Sequence, residues 1–164
     1  MFDDLLEANS RYASRFDLGG LEARAARGFC LVTCMDTRID PMRVLGLEPG
    51  DAKYLRNAGG RVTGDVLRSL VLATNYLGVT RIAVMHHTRC ALAGNSDPEL
   101  SGGLPEPQRL ATAGWAFLGM PDPDAALAAD VDTVRSCKGL ADGVIVEGWR
   151  YDVETGVVDR RITA

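Results

Sequence analysis

The sequence predicts an α/β layered fold: a mainly parallel β-sheet flanked by helices. Three observations point there. Short apolar runs follow glycine or turn residues, as in "FCLVTC" (29–34) and "RIAVMHH" (81–87), and fully buried strands read this way. Segments with apolar residues at helical spacing stand between such runs. Cys34 and the only two histidines, His86 and His87, close the two apolar runs. At 164 residues, one domain covering 1–164 is expected.

Taken in order, Phe2, Leu5, Leu6, Tyr12, Ala13 and Phe16 stand at near-helical spacing and predict a first helix over 2–16. "LEARAARG" (21–28) reads as a second short helix. Residues 29–34 form the first buried strand, and Pro41 opens a helical piece. "AKYLRN" (52–57) is a second strand, followed by the loop "AGGRVTG". From Thr63 a helix runs along Leu67, Leu70, Val71, Thr74 and Leu77 and stops at Gly78. Residues 81–87 are the third strand. "GNSDPELSGGLPEPQ" should be loop, and "ATAGWAFLGM" a short helix used in packing. Residues 122–138 form a helix with an aspartate at its start and Gly139 after its end. "GVIVEGWRYDVETGVVDRRI" holds a fourth strand, a turn at Glu154–Gly156 and a last strand.

The net charge of −4 and the lack of a basic run do not invite nucleic acid or an anionic membrane. No segment approaches the ~20 apolar residues of a membrane span, and the acidic, amphipathic start does not read as a secretory signal. A cytoplasmic location is expected. There the four cysteines, Cys30, Cys34, Cys90 and Cys137, are more often thiols, metal ligands or nucleophiles than disulfides.

Ligands of open α/β sheets bind beyond the carboxyl ends of strands. Cys34 at one such end, and His87 and Cys90 at and just past another, aim two thiols and an imidazole at one crevice. Cys, His and Cys can make a zinc site whose fourth position stays open, the mark of catalytic zinc. Asp36 and Arg38 follow two and four residues after Cys34. The arginine keeps the carboxylate ionised and oriented. Asp36 then either accepts a hydrogen bond from a water at the metal or itself takes the fourth position.

Three motifs in this order, Cys34-Met35-Asp36-Thr37-Arg38, Arg56-Asn57-Ala58-Gly59 and His86-His87-Thr88-Arg89-Cys90, resemble the β-class carbonic anhydrases. The likeness is to short bacterial members whose metal motif opens with a doubled histidine. It covers residues 1–90 well and the closing helix and strands more loosely. The resemblance implies Zn2+ on Cys34, His87 and Cys90, an Asp36–Arg38 dyad as catalytic groups, and reversible hydration of CO2 to bicarbonate by hydroxide generated at the zinc. It also implies a homodimer or homotetramer, with the N-terminal residues 1–27 as a packing arm. Two positions depart from the pattern: Ala91 stands where glycine usually follows the second cysteine, and Arg89 where an acidic residue is common. They bear on the local turn and the pocket's shape.

Two rival readings stand beside hydration. Relatives of the doubled-histidine type hydrolyse carbonyl sulfide or carbon disulfide, linear molecules open to the same attack, and a zinc-binding homologue without turnover is the third reading. Blander roles are assigned elsewhere. His86 alternates away from His87 and reads as a packing residue or one that supports the ligands from behind, Cys30 as core, and Cys137 as core or half exposed. Arg56 and Asn57 could satisfy a turn, and Gly59 and Gly60 could serve a close backbone approach or ordinary loop geometry; none is assigned a chemical role, and no substrate-binding residue is named.

Overall fold

The computed structural model describes residues 1–164. Its elements are α1 (Asp3–Ala13), β1 (Phe29–Cys34), α2 (Pro41–Leu45), β2 (Ala52–Asn57), a 3-10 turn (Ala58–Gly60), α3 (Gly64–Tyr76), β3 (Arg81–His87), α4 (Asp97–Gly102), α5 (Glu106–Ala111), α6 (Pro123–Arg135), β4 (Ile145–Tyr151) and β5 (Val158–Ile162). The strands form one sheet in the order β2-β1-β3-β4-β5. β1 pairs in parallel with both β2 and β3, β3 pairs in parallel with β4, and only β5 runs antiparallel. The chain leaves β1 toward one edge and returns past it to β3. The crevice between the carboxyl ends of β1 and β3 is therefore the topological switch point.

The expected α/β class and mainly parallel sheet are the observed ones. The apolar runs are buried throughout: β1 on all six positions and β3 on all but Arg81. On one face, Val66 and Leu70 of α3 and Leu127, Val131 and Val134 of α6 cover Cys30, Val32, Ile82 and Val84. On the other, Leu31, Ala83 and Met85 lie beneath Ile39, Leu47 and Met120, supplied by loops rather than long helices. α3 and α6 begin as their caps dictate: Thr63 accepts from the Val66 N–H, and Asp122 from the Asp124 and Ala125 N–H groups.

The expected helix over 21–28 does not form. The N–H of Ala25 donates to Leu77 (2.8 Å), that of Ala26 to Gly50 (3.0 Å) and that of Arg27 to Asp51 (2.9 Å). These donors serve tertiary partners instead of a helical ladder, and the segment becomes an irregular strap. The first helix is shorter than expected, at Asp3–Ala13.

The segment expected to be loop contains α4 and α5. The missed signal was S-x-x-E: the Ser96 N–H donates to Glu99 Oε2 at 2.7 Å, which caps α4. Conversely, of "ATAGWAFLGM" only Ala111 is helical. Asp97 takes the N–H groups of Phe117 (3.0 Å) and Gly119 (2.6 Å), and Leu118 sits at φ 58°, so the stretch is pinned as an extended strap. The turn after β4 is as expected and starts on Asp152, whose carboxylate accepts from Glu154 and Thr155.

Candidate metal centre

β1 and β3 end side by side. Cys34 is the last residue of β1 and His87 the last of β3, while Cys90 lies one tight turn further on. Their ligand atoms all fall within 4.8 Å of one another, and all three residues are buried. An ion about 2.3 Å from each sulfur and about 2.0 Å from the nitrogen fits that spacing. The imidazole is set for the purpose. His87 Nδ1 lies 2.8 Å from the Thr88 carbonyl, to which it donates, so the lone pair sits on Nε2. Nε2 is buried and has no hydrogen-bond partner. A buried unpaired acceptor beside two thiols is costly unless a cation takes it up.

The sulfurs behave as a pair. Each shifts the other: the neighbouring Cys90 thiol moves Cys34 well below the ordinary thiol value, and Cys34 pushes Cys90 up. Main-chain N–H groups of Asp36 and Gly59 also favour the Cys34 thiolate. For His87, burial is the largest single influence and opposes protonation, but Cys34, the Thr88 carbonyl and Asp36 together outweigh it, and the net direction is upward. A dication in the crevice reverses that balance, because its charge dominates the local field.

Asp36 and Arg38 lie at the mouth. Arg38 grips both carboxylate oxygens, Nε to Oδ1 at 2.9 Å and Nη2 to Oδ2 at 2.7 Å, while its own main-chain N–H donates to Oδ1 at 2.9 Å. That clamp holds the Asp36 carboxyl well below the usual carboxylate range. Asp36 Oδ2 is 3.9 Å from His87 Nε2. Arg38 Nη2 also donates to the carbonyl of Arg89 (3.1 Å), which ties the first thiol's segment to the turn that carries Cys90. Arg89 itself stands at φ 55°, a left-handed position that side chains rarely adopt.

Residues left unassigned by sequence acquire places. Arg56 donates to the Cys34 carbonyl (3.0 Å) and the Asp36 carbonyl (2.7 Å), fixing the turn between thiol and carboxylate. A Cβ on Gly60 would lie 2.9 Å from the Cys34 nitrogen, and Gly59 and Gly60 have φ of 75° and 69°. Only glycine fits this close approach. His86 points away from the cluster, as expected, with Nε2 3.1 Å from Asp130 Oδ2. Cys30 is core, its thiol pushed up to about 12 by burial, and Cys137 is half-buried.

Sequence reasoning passed over Arg61 and Asp130. The signal was present, since Asp130 falls among Leu127, Val131 and Val134 on the apolar face of α6. A cavity lined by Arg27, Phe29, Leu45, Leu47, Arg81 and Trp149 sits at the opposite, amino-terminal ends of the strands, away from this chemistry.

With that geometry in hand, the comparisons are direct. The carbonic anhydrase family profile matches residues 29–101, the span from β1 through α4. The β-carbonic anhydrase 1 of Mycobacterium tuberculosis is 31% identical over 154 residues, covering 94% of this chain and 93% of that protein. The chain belongs to the β-carbonic anhydrase family. Carbonic anhydrase from Streptococcus mutans superposes with a TM-score of 0.89 at 34% identity, over 97% of this chain and 96% of that one. Carbon disulfide hydrolase of Acidianus sp. (strain A1-3) is 32% identical over 152 residues, covering 79% of this chain and 74% of its own. The β-carbonic anhydrase family is one of metalloenzymes acting on small molecules, and the Cys34–His87–Cys90 cluster of this member has the shape and donor set to hold a metal.

Proposed function

We propose that this protein is a zinc-dependent β-carbonic anhydrase that interconverts CO2 and bicarbonate. The observation that carries the reading is the buried Cys34–His87–Cys90 cluster, with an Arg38-clamped carboxylate 3.9 Å from the imidazole nitrogen. Cys34, Cys90 and Nε2 of His87 hold the zinc, whose chemistry when bound is Lewis acidity that makes hydroxide available near neutral pH. Asp36 Oδ2 accepts a hydrogen bond from the attacking water and fixes its orientation over the carbon of CO2. Arg38 keeps Asp36 ionised and bonds to both of its oxygens, and that engagement favours the acceptor role over closing the site as a fourth ligand. Two thiolates offset more of the cation's charge than imidazoles do, so turnover rises toward mildly alkaline pH. The matching length of the mycobacterial relative supports hydration over the rival reading.

That rival, hydrolysis of carbon disulfide or carbonyl sulfide, has support in the Acidianus relative and uses the same groups. Stopped-flow CO2 hydration set against sulfide release from both sulfur substrates decides between them. Turnover confined to the sulfur substrates would reject hydration, and full zinc with no turnover of any of the three would leave a metal-binding homologue. For the site itself, Cys34→Ala, His87→Ala and Cys90→Ala each lose zinc by elemental analysis, while Asp36→Ala retains it.

A homodimeric or tetrameric assembly is part of this proposal. α1 buries none of its residues, and Phe2, Leu5, Leu6, Tyr12 and Phe16 are all exposed. An apolar stripe of that kind calls for a partner, and a second copy of the chain supplies one. Light scattering of the full chain against a chain lacking residues 1–16 tests it: the shortened protein should shift toward monomer.

A further inference from the structure

The buried pair Arg61–Asp130 bonds directly to the strand that carries His87 and, through intermediate segments, is linked to those that carry Cys34 and Cys90. Asp130, on α6, is 4% exposed and accepts from Arg61 Nε (2.6 Å), Arg61 Nη2 (3.4 Å), the Val62 N–H (3.2 Å) and His86 Nε2 (3.1 Å). Through His86 it holds the residue next to His87. Through Arg61 and Val62 it anchors the chain just after Gly59 and Gly60. Gly60 packs against the Cys34 nitrogen, so close that a Cβ there would lie 2.9 Å from it. Arg61 Nη1 then reaches the carbonyls of Leu118 (2.6 Å) and Gly119 (3.3 Å). The strap beyond them joins the turn after Cys90, with Met120 N–H to the Leu92 carbonyl at 3.0 Å and Gly94 N–H to the Met120 carbonyl at 2.8 Å.

We propose that Asp130, acting through Arg61 and His86, is the positioning residue of the metal centre: one carboxylate that sets the mutual placement of Cys34, His87 and Cys90. Asp130 lies outside residues 29–101, the span matched by the family profile, and touches none of the three ligands. A buried ion pair of this quality contributes little net stability compared with an apolar replacement, but it fixes geometry, because a forked guanidinium and a carboxylate with four donors tolerate one arrangement. Groups behind metal ligands typically govern affinity by about 10–100-fold.

The inference rests on the metal reading of Cys34, His87 and Cys90 but not on the choice of substrate. The test loads the full chain with Zn2+ and, separately, Co2+. Zinc affinity is measured by competition with a chromophoric chelator, and ligand geometry by the sulfur-to-cobalt charge-transfer and visible bands. Asp130→Asn should weaken zinc binding at least about 10-fold and reduce or shift the cobalt bands. Leu127→Ala, a cavity variant on the same helix, should lower the melting temperature and leave both readouts unchanged. Where Asp130→Asn does not yield folded protein, Arg61→Lys carries the same readouts: it keeps the charge and deletes the fork, and should weaken zinc at least about threefold. Zinc affinity within twofold of wild type and unchanged cobalt bands in the folded variant overturn the proposal, as does Leu127→Ala moving both readouts equally. Wild-type protein that takes up neither ion overturns the metal reading and this inference together, whereas wild type that binds while Asp130→Asn matches it overturns this inference alone.

Discussion

Two arginine–aspartate clamps flank the same three side chains, one wet and one dry. In the outer clamp, Arg38 and Asp36 keep 45% and 18% of their side chains exposed; in the inner one, Arg61 and Asp130 keep 13% and 6%. Both are forked and short, at 2.7 and 2.6 Å, yet their consequences differ. The outer pair faces solvent, where attraction between charges is weak, so its value lies in keeping one carboxylate ionised at the mouth of the crevice. The inner pair is out of water, where an unmatched charge is expensive, so its members depend on each other. On the proposed reading, similar geometry serves chemistry in one place and placement in the other, with dielectric environment as the dividing variable.

Breaking the inner clamp should have the largest effect on the fold. Asp130→Leu strands the Arg61 charge and should cost about 3–5 kcal/mol, read by urea denaturation. The double variant Arg61→Met/Asp130→Leu should recover most of that loss, since both charges are gone, while zinc affinity stays low because the links to Val62, His86 and Leu118 have not returned. The outer clamp should show the reverse profile. Asp36→Ala should lower turnover about 10²–10³-fold and leave zinc content and melting temperature close to wild type.

A smaller effect separates the clamps by pH. Burial pushes Asp130 up, but His86, Arg61 and the Val62 N–H more than offset it and hold its pKa below the ordinary value. A depressed folded pKa contributes stability that is fully present above the unfolded value of about 3.9 and is lost as pH falls through the folded one. The stability gap between wild type and Asp130→Asn should therefore stay level above about pH 5 and narrow below it, in urea titrations from pH 7 to 3.

Arg89→Ala should have the smallest effect. Its side chain meets Glu154 at 2.9 Å on the exposed surface, whereas Arg38 holds its main-chain carbonyl, which every residue possesses. Turnover within about twofold and a stability change below about 1 kcal/mol are expected.

The outer clamp was legible because Cys34, Asp36 and Arg38 lie within one turn, so their spacing carries the chemistry. His87 and Cys90 were legible because they close a run whose buried-strand character is plain. The inner clamp was not, since 69 residues separate Arg61 from Asp130; only the misfit of one aspartate on the apolar face of α6 hinted at it. The two stretches misread as helix fail for a shared reason: in 21–28 and 112–120 backbone donors go to distant acceptors, Leu77, Gly50 and Asp97 among them, and no local propensity encodes a distant partner.

By itself, the sequence determined the α/β layering, the strands that end in thiol and imidazole, and the carboxylate two residues past the first cysteine. These follow from periodicity and short-range spacing, which act within a few residues. Tertiary structure alone decided that the two sulfurs and the imidazole nitrogen lie within 4.8 Å of one another, that Nε2 of His87 is buried there unpartnered, and that a helix far along the chain supplies a buried carboxylate to the neighbouring His86. Those outcomes depend on which ends the sheet order brings together, and burial then magnifies every charge and hydrogen bond placed there.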